Sequence, residues 1–496
     1  MQTIFLPLKN KNWLLPVLAW MVLILLVAGC TTEEPLPTPT TTPTASPTPA
    51  VSPTPIPTRP AYSPGELVSY QAQAGDTLHN LAVRFNTSAD AILEANPVIP
   101  SEATTLPPGL PMDIPIYYES LWGTAYKIIP NSLFINGPAQ RGFNTSSFVD
   151  SHSGWLKSYR QFAAGKNRTG AEIVDLVASN FSISPRLLLV LLEYQTQALS
   201  DPVPPPDVDR YPLGHRERGY DGLYIQLVWA ANRLNQGYYR WLGGELETLE
   251  HPDGTIEHPD PWQNAATVAL QNYYALIMST ADYDQAIGQD GFAAVYRSYF
   301  PHPWSTDPHI PGSLSQPALQ LPFEGGETWA LTGGPHTGWG QGKPWSALDF
   351  APPSVAGGCQ PSNKWAVAAA SGLVTRSEEG IVELDLDEDG DPRTGWVLFY
   401  LHIGNKDRVP AGTRLEAGDP IGHPSCEGGE STGSHIHIAR KYNGEWIPAG
   451  GTIPFNLGGW IARDGNQEYQ GSLTRFTKTV TASFKAEENS HLTAEN

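Results

Sequence analysis

The sequence predicts a multidomain chain that runs from a small βααβ module through an all-α middle domain to a mostly antiparallel all-β domain. Three observations predict it. Between Leu67 and Pro115 strand-like alternation passes into helical spacing and back. From about Thr145 to Trp304 apolar residues recur at helical period, and after Phe323 they fall into short β-like runs broken by Gly and Pro. A length of 496 residues also suits roughly two to four domains.

Composition removes some function classes. Hydrophobic residues make up 40% and aromatic residues 10%, enough for buried cores. Acidic residues outnumber basic ones by 50 to 30, for a formal charge of −20. Nucleic acid is excluded as a partner, because binding it needs cationic side chains to displace counterions. Electrostatic adhesion to anionic lipid headgroups is disfavoured for the same reason.

At the N-terminus, Lys9 and Lys11 precede an apolar run from Trp13 to Ala28 that ends Leu26-Val27-Ala28-Gly29-Cys30. A basic start, an apolar core and small residues at the end describe an export signal. The last five residues resemble the bacterial lipobox, in which the cysteine, here Cys30, becomes a lipid-bearing N-terminus. A plain membrane anchor is the alternative. Export makes a disulfide between the two remaining cysteines, Cys359 and Cys426, permissible. From Thr31 to Pro64 the chain is Thr, Pro, Ser and Ala, which cannot offset its ordering entropy and reads as an extended spacer.

The βααβ module follows. Val68 to Gln71 alternates like a strand, and Asp76 is the expected N-cap of a helix carrying Leu78, Leu81, Ala82 and Phe85. A second helix fits Ser88 to Asn96, Pro107-Pro108-Gly109 a turn, and Met112 to Ile114 a closing strand. The runs Gly75-Asp76-Thr77-Leu78, Ile92-Leu93-Glu94-Ala95-Asn96-Pro97 and Leu106-Pro107-Pro108-Gly109 resemble a LysM module. That resemblance implies binding of the N-acetylglucosamine-containing glycan strands of peptidoglycan, with contacts from Gly75, Asp76, Thr77, Asn96 and Pro97.

The middle domain is read from the runs Ile173–Ala178, Pro185–Ala198, Leu223–Leu234 and Ala265–Met278. Pro185 suits a first helical turn with Ser184 as cap. The stretch from Ser184 to Glu193, with Gly222-Leu223-Tyr224-Ile225-Gln226, faintly resembles lytic transglycosylases, whose helix-borne glutamate is a general acid. Tyr194 stands where that family has serine. A helical scaffold or covering domain is the other reading.

In the last third, the strand-like runs are Trp365–Ala369, Gly372–Arg376, Ile381–Leu386, Trp396–His402 and His435–Ala439. His435-Ile436-His437 puts two imidazoles on one side of a strand. His402 closes the run before it, His336 lies in a Gly/Pro loop, and Asp349 sits in Ser346-Ala347-Leu348-Asp349-Phe350. A carboxylate in so apolar a stretch is costly to bury without a cation. Alone, each piece is ordinary; together they describe three N/O ligands and an open position, the pattern of a catalytic zinc site. The set, with Ser431-Thr432-Gly433-Ser434 ahead of His435 and the long interval from His336 to Asp349, resembles the lysostaphin-type zinc endopeptidases and especially their beta-lytic, staphylolysin-like branch. The resemblance implies one Zn2+ per chain held by His336, Asp349 and His437, with His402 and His435 as catalytic residues beside the open position. Cys359 and Cys426 are expected to be bridged, tying the loop after Asp349 to the loop before His435. In Asp385-Leu386-Asp387-Glu388-Asp389-Gly390-Asp391, alternate acids resemble the start of a calcium loop, with Asp385, Asp387 and Asp389 as Ca2+ ligands. Trp396 stands where a bidentate Glu is needed, so an acidic turn is the preferred reading.

The resulting division is an export signal over 1–30, linker 31–65, LysM module 66–116, helical domain 120–317, zinc peptidase domain 318–485 and a disordered tail 486–496. The expected function is a cell-wall zinc endopeptidase acting on peptidoglycan cross-links, exported and lipid-anchored to the outer face of the membrane. Its rivals are a non-catalytic peptidoglycan-binding envelope protein that activates another hydrolase, and a latent enzyme whose helical domain covers the cleft.

Overall fold

The structure, a computed structural model, describes residues 59, 61–117, 123–353, 357–360 and 362–495. The expected export signal with Cys30 and nearly all of the linker lie outside the described residues. Among the described residues no helix is long and apolar enough to cross a membrane.

Strands β1 (Glu66–Gln71) and β2 (Pro111–Ile116) pair antiparallel around helices α1 (Leu78–Arg84) and α2 (Ala89–Ala95). Val68, Tyr70, Leu81, Phe85, Ile92 and Ile114 form the core of this βααβ unit. The N-cap differs from expectation. Thr77, not Asp76, caps α1 and accepts from the Asn80 N–H. Asp76 is buried one residue earlier, accepting from the Tyr70 hydroxyl at 2.6 Å, the Gln73 N–H at 2.7 Å and Arg84 at 2.9 Å.

The middle region is helical but not purely so. It includes two short hairpins, β3 (Arg160–Ala163) with β4 (Lys166–Thr169) and β5 (Leu249–Glu250) with β6 (Ile256–Glu257). Such short strands carry too few residues for alternation to show in the sequence. The four apolar runs lie in or along α3 (Gly170–Phe181), α4 (Pro185–Thr196), α5 (Leu223–Leu242) and α6 (Ala265–Ala275). Thr169 and Glu172 form a capping box for α3, and the Ser184 hydroxyl caps α4 ahead of Pro185. Leu187 to Leu192 are all fully buried, which explains why α4 is apolar on every side. At Gly237 a Cβ would lie 2.8 Å from the Ala269 Cα, so this glycine lets α5 and α6 approach closely.

The last region is built on a sheet whose strands are β7 (Thr328–Thr337), β8 (Trp345–Ala351), β9 (Gly372–Glu378), β10 (Ile381–Asp385), β11 (Trp396–Leu401), β12 (Arg414–Leu415), β13 (Ile436–Tyr442), β14 (Glu445–Trp446) and β15 (His491–Thr493). Their order is β12-β9-β10-β11-β13-β8-β7-β15, with β14 paired to β13, and the pairings are antiparallel. β15 falls in the segment expected to be a disordered tail. Its Leu492 is buried opposite Trp329, a contact too short to stand out by composition.

The two faces of this sheet have different neighbours. Leu348, Phe350, Leu398, Tyr400, Ile436 and Ile438 pack with Phe323, Phe455 and Trp460 of the same region. Ala347, Phe399, Leu401, Ala439 and Trp446 share a core with Phe181, Leu234 and Tyr238 of the helices. The alternation of β13 puts His437 on the helix-covered face.

Candidate metal centre

Three strands bring the centre together. His437 on β13 is the direct cross-strand partner of Asp349 on β8, and Gly333 on β7 faces Asp349 from the other side. The register of β7 shifts on both sides of His336, and such bulges re-aim side chains. As a result the His336 Nε2 lies 3.0 Å from the His437 Nδ1 and 3.2 Å from the Asp349 Oδ1, and the last pair is 3.3 Å apart. All three residues are buried.

The hydrogen bonds around this triangle fix its chemistry. His336 Nδ1 lies 2.8 Å from the Gly334 carbonyl, and His437 Nε2 lies 3.1 Å from the Gly338 carbonyl. A carbonyl only accepts, so each ring spends its N–H there and turns a bare nitrogen to the centre. The buried Asp349 Oδ1 has no hydrogen-bond donor. Three lone-pair acceptors therefore converge, an arrangement that a cation satisfies. Ligands of a tetrahedral ion at about 2.0–2.1 Å sit about 3.3 Å from one another, which matches these three edges. The residues fit a zinc-type ion.

The ionisation of the three groups is mutually dependent. Burial opposes the charge on Asp349, but His336 and His435 outweigh it and hold the carboxyl well below its ordinary range. Burial lowers His336, yet the Asp349 carboxylate more than compensates and the net shift is upward. Burial leaves His437 below its ordinary value.

His402 and His435 stand beside the triangle, their rings 4.5 Å apart. His435 Nε2 is 3.6 Å from the Asp349 Oδ1, and its Nδ1 is 2.8 Å from the Gly433 carbonyl. His402 Nδ1 is 2.9 Å from the Glu427 carbonyl, which leaves Nε2 as the free nitrogen. His402 sits just past β11 with φ of 65°, an uncommon left-handed conformation outside glycine. Its carbonyl accepts from both the N–H and the hydroxyl of Ser425, which hold it there. Burial, then His435 and His437, lower its pKa to about 3. The Cys359–Cys426 disulfide closes beside this corner, as expected, and the Ser434 N–H donates to the Gly358 carbonyl. One neighbour escaped the sequence reading. Tyr469 stacks on His336 with centroids 4.2 Å apart, from a loop whose N–H and carbonyl bond Pro335 and Gly334. An aromatic residue in a Gly/Asn/Gln loop gave no signal of this.

The other expected sites fare differently. Asn96 is spent on the module itself, bonding the N–H and carbonyl of Asp113 and the carbonyl of Ile92, while Pro97 is exposed. Gly75 faces Leu242 and Glu445, so the Gly75-Asp76-Thr77 loop looks into the molecule. The carboxylates of Asp385, Asp387 and Asp389 do cluster, but the Gly390 N–H donates to Asp385, Thr394 to Asp389, and Arg141 pairs with Asp389 and Asp391. This is an acidic turn docked on the helical region, and nothing beyond the cluster supports calcium. Glu193 is tied into its own surroundings. Its oxygens accept from the Leu199 and Ser200 N–H groups and from the Ser200 and Tyr299 hydroxyls.

With this geometry in hand, the similarities fall into place. Residues 127–313 match the family model described as the LasA N-terminal domain, and residues 70–115 match the LysM domain. Protease LasA of Pseudomonas aeruginosa strain PAO1 is 26% identical over 347 residues, covering 65% of this chain and 77% of its own. The beta-lytic metalloendopeptidase of Achromobacter lyticus is 31% identical over 169 residues, or 32% of this chain and 42% of its own. Among solved structures, the M23 metalloprotease pseudoalterin from the deep sea is similar at 24% identity and a TM-score of 0.29, over 34% of this chain and 96% of its own.

Proposed function

Because the chain is a metalloendopeptidase related to LasA and the beta-lytic enzymes and carries a LysM module, we propose that it hydrolyses peptide bonds in the stem peptides or cross-bridges of peptidoglycan. In this reading His336, Asp349 and His437 hold one zinc ion per chain. The observation that carries it is the triangle of bare ligand atoms at 3.0, 3.2 and 3.3 Å. A zinc ion bound there supplies a Lewis acid that brings the pKa of its water toward ~7. His402 has Nδ1 committed to the Glu427 carbonyl, which leaves Nε2 free to take a proton from the attacking water. His435, with Nδ1 committed to the Gly433 carbonyl, offers Nε2 for the same proton or for its return to the leaving amine. Hydrolysis adds the elements of water across the C–N bond, so the proton taken at an imidazole ends on that amine. A non-catalytic binding protein would be expected to have lost some of these five groups, and all five are present.

The LysM module would hold the enzyme on the glycan strands. The export signal and Cys30 would place it outside the membrane, tethered by lipid through the Pro/Thr-rich spacer.

Metal analysis together with muropeptide digestion tests the reading. Wild type should contain about one zinc per chain and release peptides in a chelator-sensitive way, and His437→Ala should lose both. A His437→Ala protein that keeps its metal and its activity would overturn the assignment.

A further inference from the structure

Ala74, Gly75, Asn80, Thr104 and Thr105 of the LysM module are covered here by the chain itself. Thr104 and Thr105, between α2 and β2, donate their hydroxyls to the carbonyls of Leu314 and Pro311 at 2.7 and 2.8 Å. The return bonds run from the Ser313 N–H to the Thr105 carbonyl at 2.9 Å and from the Leu314 N–H to the Thr105 hydroxyl at 3.0 Å. Four hydrogen bonds thus seat a strap, residues 309–314, along one loop of the module. On the other loop, Ala74 packs against the apolar cluster of Ile310, Leu314, Ile447 and Ile453. Asn80 donates to the Leu242 carbonyl, and Asn131 donates to the Ala74 carbonyl.

The strap is anchored at its far end as well. His309 Nε2 lies 2.6 Å from a Glu445 oxygen that also accepts from the Tyr238 hydroxyl at 2.7 Å. All three groups are buried. The six residues therefore bind the module to the helices and to the β13–β14 hairpin at once.

We propose that this strap and a glycan strand compete for the Thr104–Thr105 loop of the LysM module, so that glycan binding there requires the strap to leave. The proposal rests on the reading that the module binds N-acetylglucosamine polymer through its two loops. A backbone segment that donates and accepts between hydroxyls occupies the face much as a sugar chain would, and its occupancy lowers apparent glycan affinity by the fraction of molecules with the strap released.

Gly312 allows a test that substitutes no residue of the module itself. A Cβ there would lie 2.6 Å from the Pro107 Cγ and 2.8 Å from its Cα and N, so Gly312→Leu is expected to part the strap from the module, and loss of protection at the Ser313 and Leu314 amides of the variant checks this. Binding of a β-1,4-linked N-acetylglucosamine pentamer to the full chain should be at least about tenfold tighter in Gly312→Leu than in wild type. In wild type, hydrogen exchange at the Ser313 and Leu314 amides should accelerate when the pentamer binds, a readout that needs no variant. Equal affinity in both proteins, with those amides still protected in the complex, refutes the competition while leaving glycan binding standing at another face. No binding by either protein sinks the glycan reading itself, and the proposal with it.

Discussion

A single methyl group added to Gly333 should disable the centre without removing any ligand. A Cβ on Gly333 would stand 2.5 Å from the Asp349 Oδ2 and 3.0 Å from its Cγ, and contacts below 3.0 Å essentially never occur. The Asp349 carboxylate must therefore retreat by about 0.5 Å or turn, since all three of the nearest atoms belong to its side chain. Metal ligands tolerate about ±0.2 Å, so the displacement exceeds what the site can absorb. The overpacking itself costs about 1–3 kcal/mol. Misplacing a reacting group by about 1 Å costs on the order of 10²-fold, so Gly333→Ala should lower kcat/KM on a peptidoglycan peptide by roughly 10–100-fold. Zinc should titrate out at lower chelator concentration than in wild type, while far-ultraviolet circular dichroism stays unchanged. A Gly333→Ala enzyme with full zinc retention and wild-type kcat/KM would show that Asp349 does not hold the ion.

Two further outcomes follow from buried groups. His402 has a folded pKa of about 3, through burial and then His435 and His437, against about 6.5 unfolded. Its depressed value gives a contribution that is full above about pH 6.5 and is lost as pH falls toward 3. At pH 5 the loss is about 2 kcal/mol, so metal-free wild type should weaken between pH 7 and 5 by that much more than His402→Gln in urea melts, and parallel pH profiles would contradict it. Glu193→Gln replaces an acceptor oxygen with a donor facing N–H and O–H groups, so it should cost about 1–3 kcal/mol of stability while leaving glycan strands uncut as before; loss of a glycan-cleaving activity in a folded variant would restore the general-acid reading.

The sequence made the centre legible because its chemistry is periodic and local. His435 and His437 share a side of one strand by simple alternation, and Asp349 announces itself as a carboxylate in an apolar run. That His336 joins them was implied by the resemblance to the beta-lytic enzymes, since its aim depends on register shifts in β7 that the sequence does not show. The junctions were not legible. His309, Tyr238 and Glu445 lie far apart in sequence, and no spacing rule joins a histidine before Pro311 to a glutamate in a tight hairpin. The same limit misled the reading of Asp76 as a cap, because its partners Tyr70 and Arg84 come from two elements at once. Tyr469 escaped for a related reason, since its place on His336 depends on how a loop is bonded to a strand bulge.

The covered sheet face explains why the helical region and the metal centre are inseparable. Along β13, His437 and Ala439 point the same way, one into the centre and the other into the core shared with the helices. The connection continues through Gly338, whose carbonyl fixes the His437 tautomer. At Gly338 a Cβ would meet the Trp446 ring at 2.9 Å, so the tryptophan lies directly behind that carbonyl's residue. Trp446 is itself held by the helices, its backbone N–H donating to the Tyr239 hydroxyl and its indole to the Phe181 carbonyl. The Gly340 and Gln341 turn is tied to Asn232 on α5, with the Gln341 N–H donating to the Asn232 amide oxygen. A domain that merely spaced the catalytic region from the wall would make no such contacts. Here the orientation of one imidazole depends, through a glycine, an indole and a phenol, on the placement of α5.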